Sequence, residues 1–341
     1  VGRKNNHSVT IEDEKPVLIY SAGGGRLGNQ LINFCNLYSI SQEYDLRVHC
    51  LPFYDYTFAF EEIEGHDSIQ LDCEELSTVW KKSIIDLWSG RFSDNVIIET
   101  IRPAVLHTIA RTSKNAQSII AGDSHLPIPL LGKHYPEIDF TEETIISKVK
   151  DNPISVVSGW NVRAWPLVKK YKQLLVEELQ INKDYRDPAM SHLSRLREEH
   201  DIIVGVHMRQ GDYRTWRNGK FYFDAAYYNK CMEIIDKFFE KEDVGFLVAS
   251  NTSQQNSFEN VSSHLSLCQE DSTLSYVTDF AELSLCDYVL APPSSFSVFA
   301  AFLGDIPVIP IHSEFENSPV EILEKPLIES IDHDILSYAI K

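Results

Sequence analysis

Three short segments gather the residue types that bind anions and move protons. The first is Val204-Gly205-Val206-His207-Met208-Arg209-Gln210-Gly211-Asp212-Tyr213, where an apolar run leads straight into histidine, arginine and aspartate. An arginine at a strand end cannot shed its charge, so it needs an anionic partner. Two partners fit. Asp212 could pair with Arg209 and brace the loop, or a ligand phosphate could take the planar guanidinium fork. The second segment, Leu290-Ala291-Pro292-Pro293-Ser294-Ser295-Phe296-Ser297, reads as strand, turn and helix start. Ser294 or Ser295 suits an N-cap. The same geometry leaves N–H groups and hydroxyls at a helix N-terminus, which attracts phosphate. Upstream, Asp279 stands at a predicted helix start, as an N-cap or as a partner for a nucleobase edge.

The third segment, Gly23-x-Gly25-x-x-Gly28, satisfies a G-x-G-x-x-G pattern after a strand and before a helix. A dinucleotide site needs an acidic residue ending the second strand, and that strand ends in Cys50-Leu51-Pro52 with Asp45 before it. A Walker A loop needs Lys-Ser/Thr after the last glycine, where Asn29-Gln30 stands. These missing residues weaken both readings, and two others stand beside them: a tight turn with no ligand, or a polar cradle of loop N–H groups with Arg26 and Asn29.

The elements that must carry these segments follow an α/β rhythm. Val17–Tyr20 reads as a buried strand, Asn29–Tyr44 as a helix and Arg47–Leu51 as a second strand, the opening unit of a parallel sheet. Further strands are predicted at 96–98, 119–122 and 154–160, with a helix at 167–179. A polar stretch containing Pro188 follows. Then the rhythm restarts: strand 202–207, helix 223–239, strand 246–250, short helix 280–286, strand 288–291, helix 296–303, strand 306–309. This predicts an α/β protein of two Rossmann-like domains facing across a cleft, residues 1–190 and 191–341. Ligands in such sheets sit outside the carboxyl ends of the strands.

Composition narrows the function. Asp and Glu number 50 against 31 Lys and Arg, a formal charge of −19, which argues against nucleic-acid wrapping but permits a local basic pocket. Hydrophobic residues make up 43% of the 341, an ordinary globular share. No apolar run is long enough for a transmembrane helix, and residues 1–16 lack the apolar core of a signal peptide, as a truncated or processed end would. The 6 cysteines show no C-x-x-C spacing, so they read as small core hydrophobes of a reducing compartment, with neither a zinc nor a redox motif expected. The triplets at Asn6, Asn251 and Asn260 match the glycosylation pattern, which arises readily by chance, and Asn251 is expected at a cleft edge.

Gly25-Arg26-Leu27-Gly28-Asn29-Gln30-Leu31, His207-Met208-Arg209-Gln210-Gly211-Asp212-Tyr213 and Ser294-Ser295-Phe296-Ser297 together resemble the three motifs of the α-1,2-fucosyltransferases, glycosyltransferase family 11, within the wider group of GDP-fucose transferases. Tyr227–Lys230, Leu247–Asn251 and Asp279–Asp287 resemble the landmarks between them, so the likeness runs over roughly residues 17–310. It implies a GT-B fold, a GDP-β-L-fucose donor, a glycan acceptor (a galactoside by α-1,2 linkage), no cofactor and no metal requirement. Carried over by position, Arg209 would bind the pyrophosphate, and His207 and Asp279 the guanosine. Ser294, Ser295 and the Phe296 amide would complete the phosphate cradle, and Gly25, Arg26 and Asn29 would face the donor sugar. The family usually shows two adjacent arginines, and Gln210 takes the second place here. The segment Arg214–Phe223 also departs from the usual loop.

Under this reading an acceptor hydroxyl attacks the sugar C1 as GDP leaves, with inversion, while Arg209 and the serine turn stabilise the leaving phosphate. Asp212 and His207 are both candidates for the general base, and Trp160, Trp165, Trp216 and Tyr222 for the acceptor face; Trp160 reads equally well as core at a strand end. The resemblance places a bacterial or viral source in the cytoplasm, and a eukaryotic one in the Golgi lumen if an anchor was removed; membrane association would need a segment outside this sequence. The alternatives are a GT-B transferase of another nucleotide sugar or linkage, a dinucleotide-dependent oxidoreductase, and a non-catalytic glycan- or nucleotide-binding protein.

Overall fold

The computed structural model describes residues 15–21, 25–61, 116–120, 138–158, 162–254, 258 and 260–322. The chain divides into two compact units, one drawn from residues 1–24, 33–55 and 66–171, the other from 25–32, 56–65 and 172–341.

In the first unit the order is β1 (Val17–Tyr20), α1 (Leu27–Tyr44, whose first turns count with the second unit), β2 (Arg47–Cys50), β3 (Ala116–Ile120), β4 (Ile138–Asp139), α2 (Glu143–Lys150), β5 (Ile154–Ser158), β6 (Val162–Arg163) and α3 (Trp165–Lys170). Four strands form a parallel sheet in the order β2-β1-β5-β3, and β4 pairs with β6. All four residues of β1 are buried, as a central parallel strand requires. Phe34, Cys35, Leu37 and Ile40 of α1 are buried as well. Buried Asn36 accepts the Ala164 N–H at 2.6 Å, satisfying both polar groups. The predicted strand at 96–98 lies outside the described residues, as do residues 121–122 and 159–160 of the predicted strands that overlap β3 and β5.

The second unit continues with α4 (Lys172–Glu178), α5 (Lys183–Leu196), β7 (Ile202–Met208), α6 (Ala225–Phe238), β8 (Val244–Ser250), β9 (Ser262–Leu265), α7 (Leu267–Glu270), α8 (Tyr276–Leu285), β10 (Tyr288–Ala291), α9 (Ser295–Gly304) and β11 (Val308–Pro310). The sheet order is β11-β10-β7-β8-β9, all parallel. Numbered from β7 this is the doubly wound order, with the direction of winding reversing between β7 and β10. Both faces are covered. Val204, Val206 and Met208 pack with Tyr228, Cys231, Met232 and Ile235 of α6. Ile203 and Leu247 pack with Leu193 and Leu196 of α5 and with Cys286. The fold class is thus α/β of the GT-B type expected.

Several boundaries differ from the sequence reading. The expected helix 167–179 is two, α3 and α4, parted at Tyr171. The polar stretch around Pro188, expected to be a seam between domains near residue 190, is helix α5. It tolerates the proline in its second turn because Ala189, His192, Leu193 and Leu196 bury one face. His192 Nδ1 lies 2.6 Å from Glu282 Oε1 of α8, and Glu282 also accepts the Leu267 N–H at 3.1 Å. Burial pushes the Glu282 carboxyl up and the His192 bond pulls it back. Edge strand β9 was unforeseen. Among the described residues no helix is long and apolar enough to cross a membrane. Cys35, Cys50, Cys231 and Cys286 are free and buried and Cys268 is free and half-buried, while Cys73 lies outside the described residues.

Helix α9 closes against α8 at Gly304, where an added Cβ would lie 2.0 Å from the Ser284 carbonyl oxygen. Gly304→Ala should therefore overpack this contact, at about 1–3 kcal/mol. The expected outcome is a fall in Tm of roughly 2–4 °C per kcal/mol; an unchanged Tm would mean the helices stand further apart.

Candidate functional site

The reversal between β7 and β10 puts two strand ends side by side, and the residues that follow them line one cavity of about 700 Å³. From β7 come His207, Arg209, Asp212 and Tyr213; from the turn after β10 come Ser294, Ser295 and Phe296. Asp279 of α8, and Gly25, Arg26, Gly28 and Asn29 of the glycine loop, line it too. All belong to the second unit.

Alternation along β7 sends Met208 into the core under α6 and His207 to the opposite face. The His207 ring lies 5.2 Å from that of Phe296, which lies 5.2 Å from that of Phe280. His207 is buried, and its Nδ1 has no hydrogen-bond partner among the described residues. Burial, helped by the Arg209 charge, lowers its pKa to about 3. The imidazole is therefore neutral and a poor base near neutral pH, better suited to hold a ligand than to abstract a proton.

Arg209 projects from the next turn. Its Nη2 donates to Asp212 Oδ2 at 2.8 Å, and its Cζ lies 5.4 Å from the Tyr213 ring centroid. The Tyr228 hydroxyl of α6 accepts the Arg209 N–H and donates to the His207 carbonyl, both at 3.3 Å. Gln210, in the place of the family's second arginine, points away from any anion. It is buried, its Nε2 donates to the Phe223 carbonyl at 2.6 Å, and its N–H reaches Asn251 Oδ1 at 2.8 Å.

Helix α9 begins with Ser294 in the N-cap place, extended at φ −151°, with no side-chain bond to the helix. Ser295 Oγ donates to Asn29 Oδ1 at 2.8 Å. A Cβ on Gly28 would stand 2.5 Å from the Phe296 nitrogen and 2.6 Å from the Ser295 carbonyl carbon. The third glycine of the G-x-G-x-x-G pattern is thus needed for close approach to the α9 backbone. Gly25, at φ +91°, supplies the left-handed turn before it.

Asp279 is at a helix start as predicted, but it is not the N-cap. Ser275 caps α8, accepting the Val277 N–H at 3.3 Å, and Asp279 stands in the first turn. It is buried, and its Oδ1 has no hydrogen-bond partner among the described residues. Burial raises its pKa to about 6, with Ser266 and Cys268 offsetting part of the rise and Glu282 adding to it. Two buried polar groups that line the cavity thus keep an unmet hydrogen-bonding atom, an arrangement that costs stability and suits a ligand.

Of the aromatic candidates, Trp216 lines the cavity, stacked on Tyr213 at 4.8 Å. Tyr222 does not line it: its ring lies under the Arg214 guanidinium at 5.2 Å, held by a turn back to Gly219. Trp160 lies outside the described residues, and Trp165 stands in the first unit under the Arg163 guanidinium at 5.6 Å. Asn251, which follows β8, lines the cavity at the cleft edge where the sequence reading put it, while that reading missed Gln269 and Tyr276. Gln269, whose Nε2 donates to the Ser250 carbonyl at 2.6 Å, and exposed Tyr276 carry no motif.

Residues 162–321 match the family model described as Glycosyl transferase family 11. That stretch holds the β7 and α9 segments and bears out the resemblance seen in the motifs. Among solved structures, a mutant of Arabidopsis thaliana FUT1 in complex with GDP is similar at 13% identity and a TM-score of 0.52, over 91% of this chain and 74% of that one. Fucosyltransferase NodZ from Bradyrhizobium aligns at 15% identity and a TM-score of 0.44, over 91% and 98%. POFUT1 in complex with GDP aligns at 11% and 0.43, over 86% and 96%. A search of curated proteins found no match.

Asp279 gives this site a pH signature. Its folded pKa of about 6 lies above the unfolded 3.8, so its stabilising share is complete below about pH 4 and is lost as the pH rises through 6. His207 acts in the opposite sense, since its folded pKa is depressed. Comparing Asp279→Asn with wild type isolates the carboxyl. In urea unfolding the variant should gain on wild type by about 2–3 kcal/mol between roughly pH 4 and pH 7.5. A difference independent of pH would mean that the carboxylate is not desolvated.

Proposed function

From a chain whose residues 162–321 match the model of glycosyl transferase family 11, we propose an inverting transferase that moves L-fucose from GDP-β-L-fucose to a glycan hydroxyl, by α-1,2 linkage to a galactoside. The observation that carries this reading is the shared cavity of Arg209 and the α9 N-terminus. A guanidinium, two serines and a helix dipole converge at the winding reversal of a doubly wound sheet, which is where a diphosphate binds best.

The residues divide the work as follows. The acceptor oxygen forms a bond to the sugar C1 on the face opposite GDP, and the C1–O bond to the β-phosphate breaks. Its electron pair stays on the phosphate, and the acceptor proton passes to a base or to solvent. Arg209 exchanges Asp212 for the diphosphate and meets the growing charge with N–H donors already in place. Ser294, Ser295 and the Phe296 N–H complete the cradle. Such donors do what a divalent cation does in other transferases, so the transfer step requires no metal ion. The neutral His207 imidazole and the Asp279 carboxyl hold the guanosine, meeting the polar atoms left unpaired in the free protein. Gly25, Arg26 and Asn29 face the donor sugar, and Trp216 offers a ring to the acceptor.

Thermal shift with GDP, GDP-fucose, UDP and NAD, followed by donor turnover against β-galactoside-ended glycans, tests this. The expected result is stabilisation by the guanosine ligands alone, and transfer that falls about 10²–10³-fold in Arg209→Ala with its circular dichroism unchanged. Stabilisation by UDP would mean another donor, by NAD alone an oxidoreductase, and guanosine binding without turnover a binding protein. Near-normal transfer by Arg209→Ala would refute the role of that arginine.

A further inference from the structure

Remote from the cavity, one group of metal-type ligands converges among the described residues: Glu199, His200 and His264, with one ligand atom from each lying within 4.8 Å of the others. Glu199 and His200 precede β7, and His264 sits on edge strand β9. We propose that these three side chains form a binding site for a borderline transition-metal ion of the Zn²⁺ class, which clips the edge of the second unit's sheet.

His200 Nε2 stands 2.9 Å from His264 Nε2 and 3.2 Å from Ser262 Oγ. Ser262 and His264 are two apart on β9, so the strand turns both to the same face. Two imidazole nitrogens bound to a tetrahedral zinc at 2.0–2.1 Å would lie about 3.3 Å apart, so a shift of under half an ångström admits the ion. A carboxylate, such as that of Glu199, completes a common zinc donor set, with water in the fourth place.

The surroundings prepare the histidines for this. Asp243 Oδ1 lies 3.4 Å from His200 Nδ1. No hydrogen bond forms at that distance in the free protein, but a carboxylate beside Nδ1 can close onto it when a metal takes Nε2, as carboxylates do behind metal-bound histidines. Gly245 makes room: a Cβ there would stand 2.4 Å from His200 Cδ2, so only glycine lets the ring lie on the sheet.

The ion would serve structure. At about 3.3 Å per strand residue, His200 and His207 are roughly 23 Å apart along β7, and none of the three ligands lines the cavity. Among the described residues strand β9 pairs with β8 alone. A bond from His264 to His200 would tie this edge to the turn before β7 and stabilise the folded form by mass action.

The test uses the full chain, free of any histidine tag and stripped by chelator. Calorimetric titration with Zn²⁺ should show one ion per chain and a rise in Tm, and Mg²⁺ should give neither. Co²⁺ should give visible bands of four-coordinate strength. His264→Ala should abolish the Co²⁺ bands, and Asp243→Asn, which touches no ion, should shift them and weaken Zn²⁺ binding by about 10–100-fold. If His264→Ala fails to fold, Glu199→Gln, at an exposed position, decides by its loss of Zn²⁺ affinity. The GDP-induced thermal shift should persist in every folded variant. Absence of Zn²⁺ binding to wild type overturns the proposal, and so does unchanged binding in the variants, since the chain's 12 histidines would then hold zinc elsewhere.

Discussion

Parallel pairing of β7 with β10, from Val204 opposite Tyr288 to Val206 opposite Leu290, is the constraint on which the second unit turns. It sets two carboxyl ends side by side where the winding reverses, so the chain leaving each strand must turn over the same opening. One strand delivers a permanent cation and the other the start of a ten-residue helix. Neither needs loop flexibility to find the other, because a seven-residue strand and a buried helix hold both. Gly28 and Ser295 then close the glycine loop onto that helix end, and a side chain at position 28 would pry them apart.

The polar groups around this opening are held in costly states. The His207 imidazole is stripped of solvent and beside a guanidinium; the Asp279 carboxyl is buried with one oxygen unmatched. Both would be more comfortable in water. A fold that keeps such groups dry has spent stability elsewhere to do so, and the dense packing of β7 and β8 between α6 and α5 is where that stability resides. Gln210 makes the same point in reverse: its side-chain Nε2 donates to the Phe223 carbonyl and its backbone N–H to Asn251 Oδ1, which stiffens the loop that carries Arg209.

Much of this was legible in the residues. Apolar runs breaking into His207-Met208-Arg209 and into Pro293-Ser294-Ser295 marked strand ends, because a buried parallel strand must end where charge begins. What failed did so for identifiable reasons. Helix α5 hid behind Pro188 and a polar face, its burial depending on α8 far along the chain. Strand β9, Ser-Ser-His-Leu, has no apolar run because it lies at an edge. The start of α8 was placed too late, at Asp279, because the helix begins on Tyr276-Val277-Thr278, residues with weak helix preference that Ser275 nonetheless caps. The purpose of Gly28 could not be read locally, since the backbone it touches comes from the other end of the sequence. Tyr222 and Trp216 looked alike as aromatic loop residues, and only the left-handed pair Arg217 and Asn218 between them sends their rings to different neighbours.

The Asp212–Arg209 pair has an outcome for ligand choice. With its cation already matched by a tethered carboxylate three residues away, the pocket holds little attraction for a singly charged solute. An incoming group must out-compete a neighbour whose effective concentration is set by the loop itself, which a polyanion gripping the α9 N-terminus at the same time can do and chloride or acetate cannot. Under the proposed function the brace would act as a valence filter, keeping the mouth of the pocket clear of ordinary salt and opening to solutes that bring several negative oxygens at once.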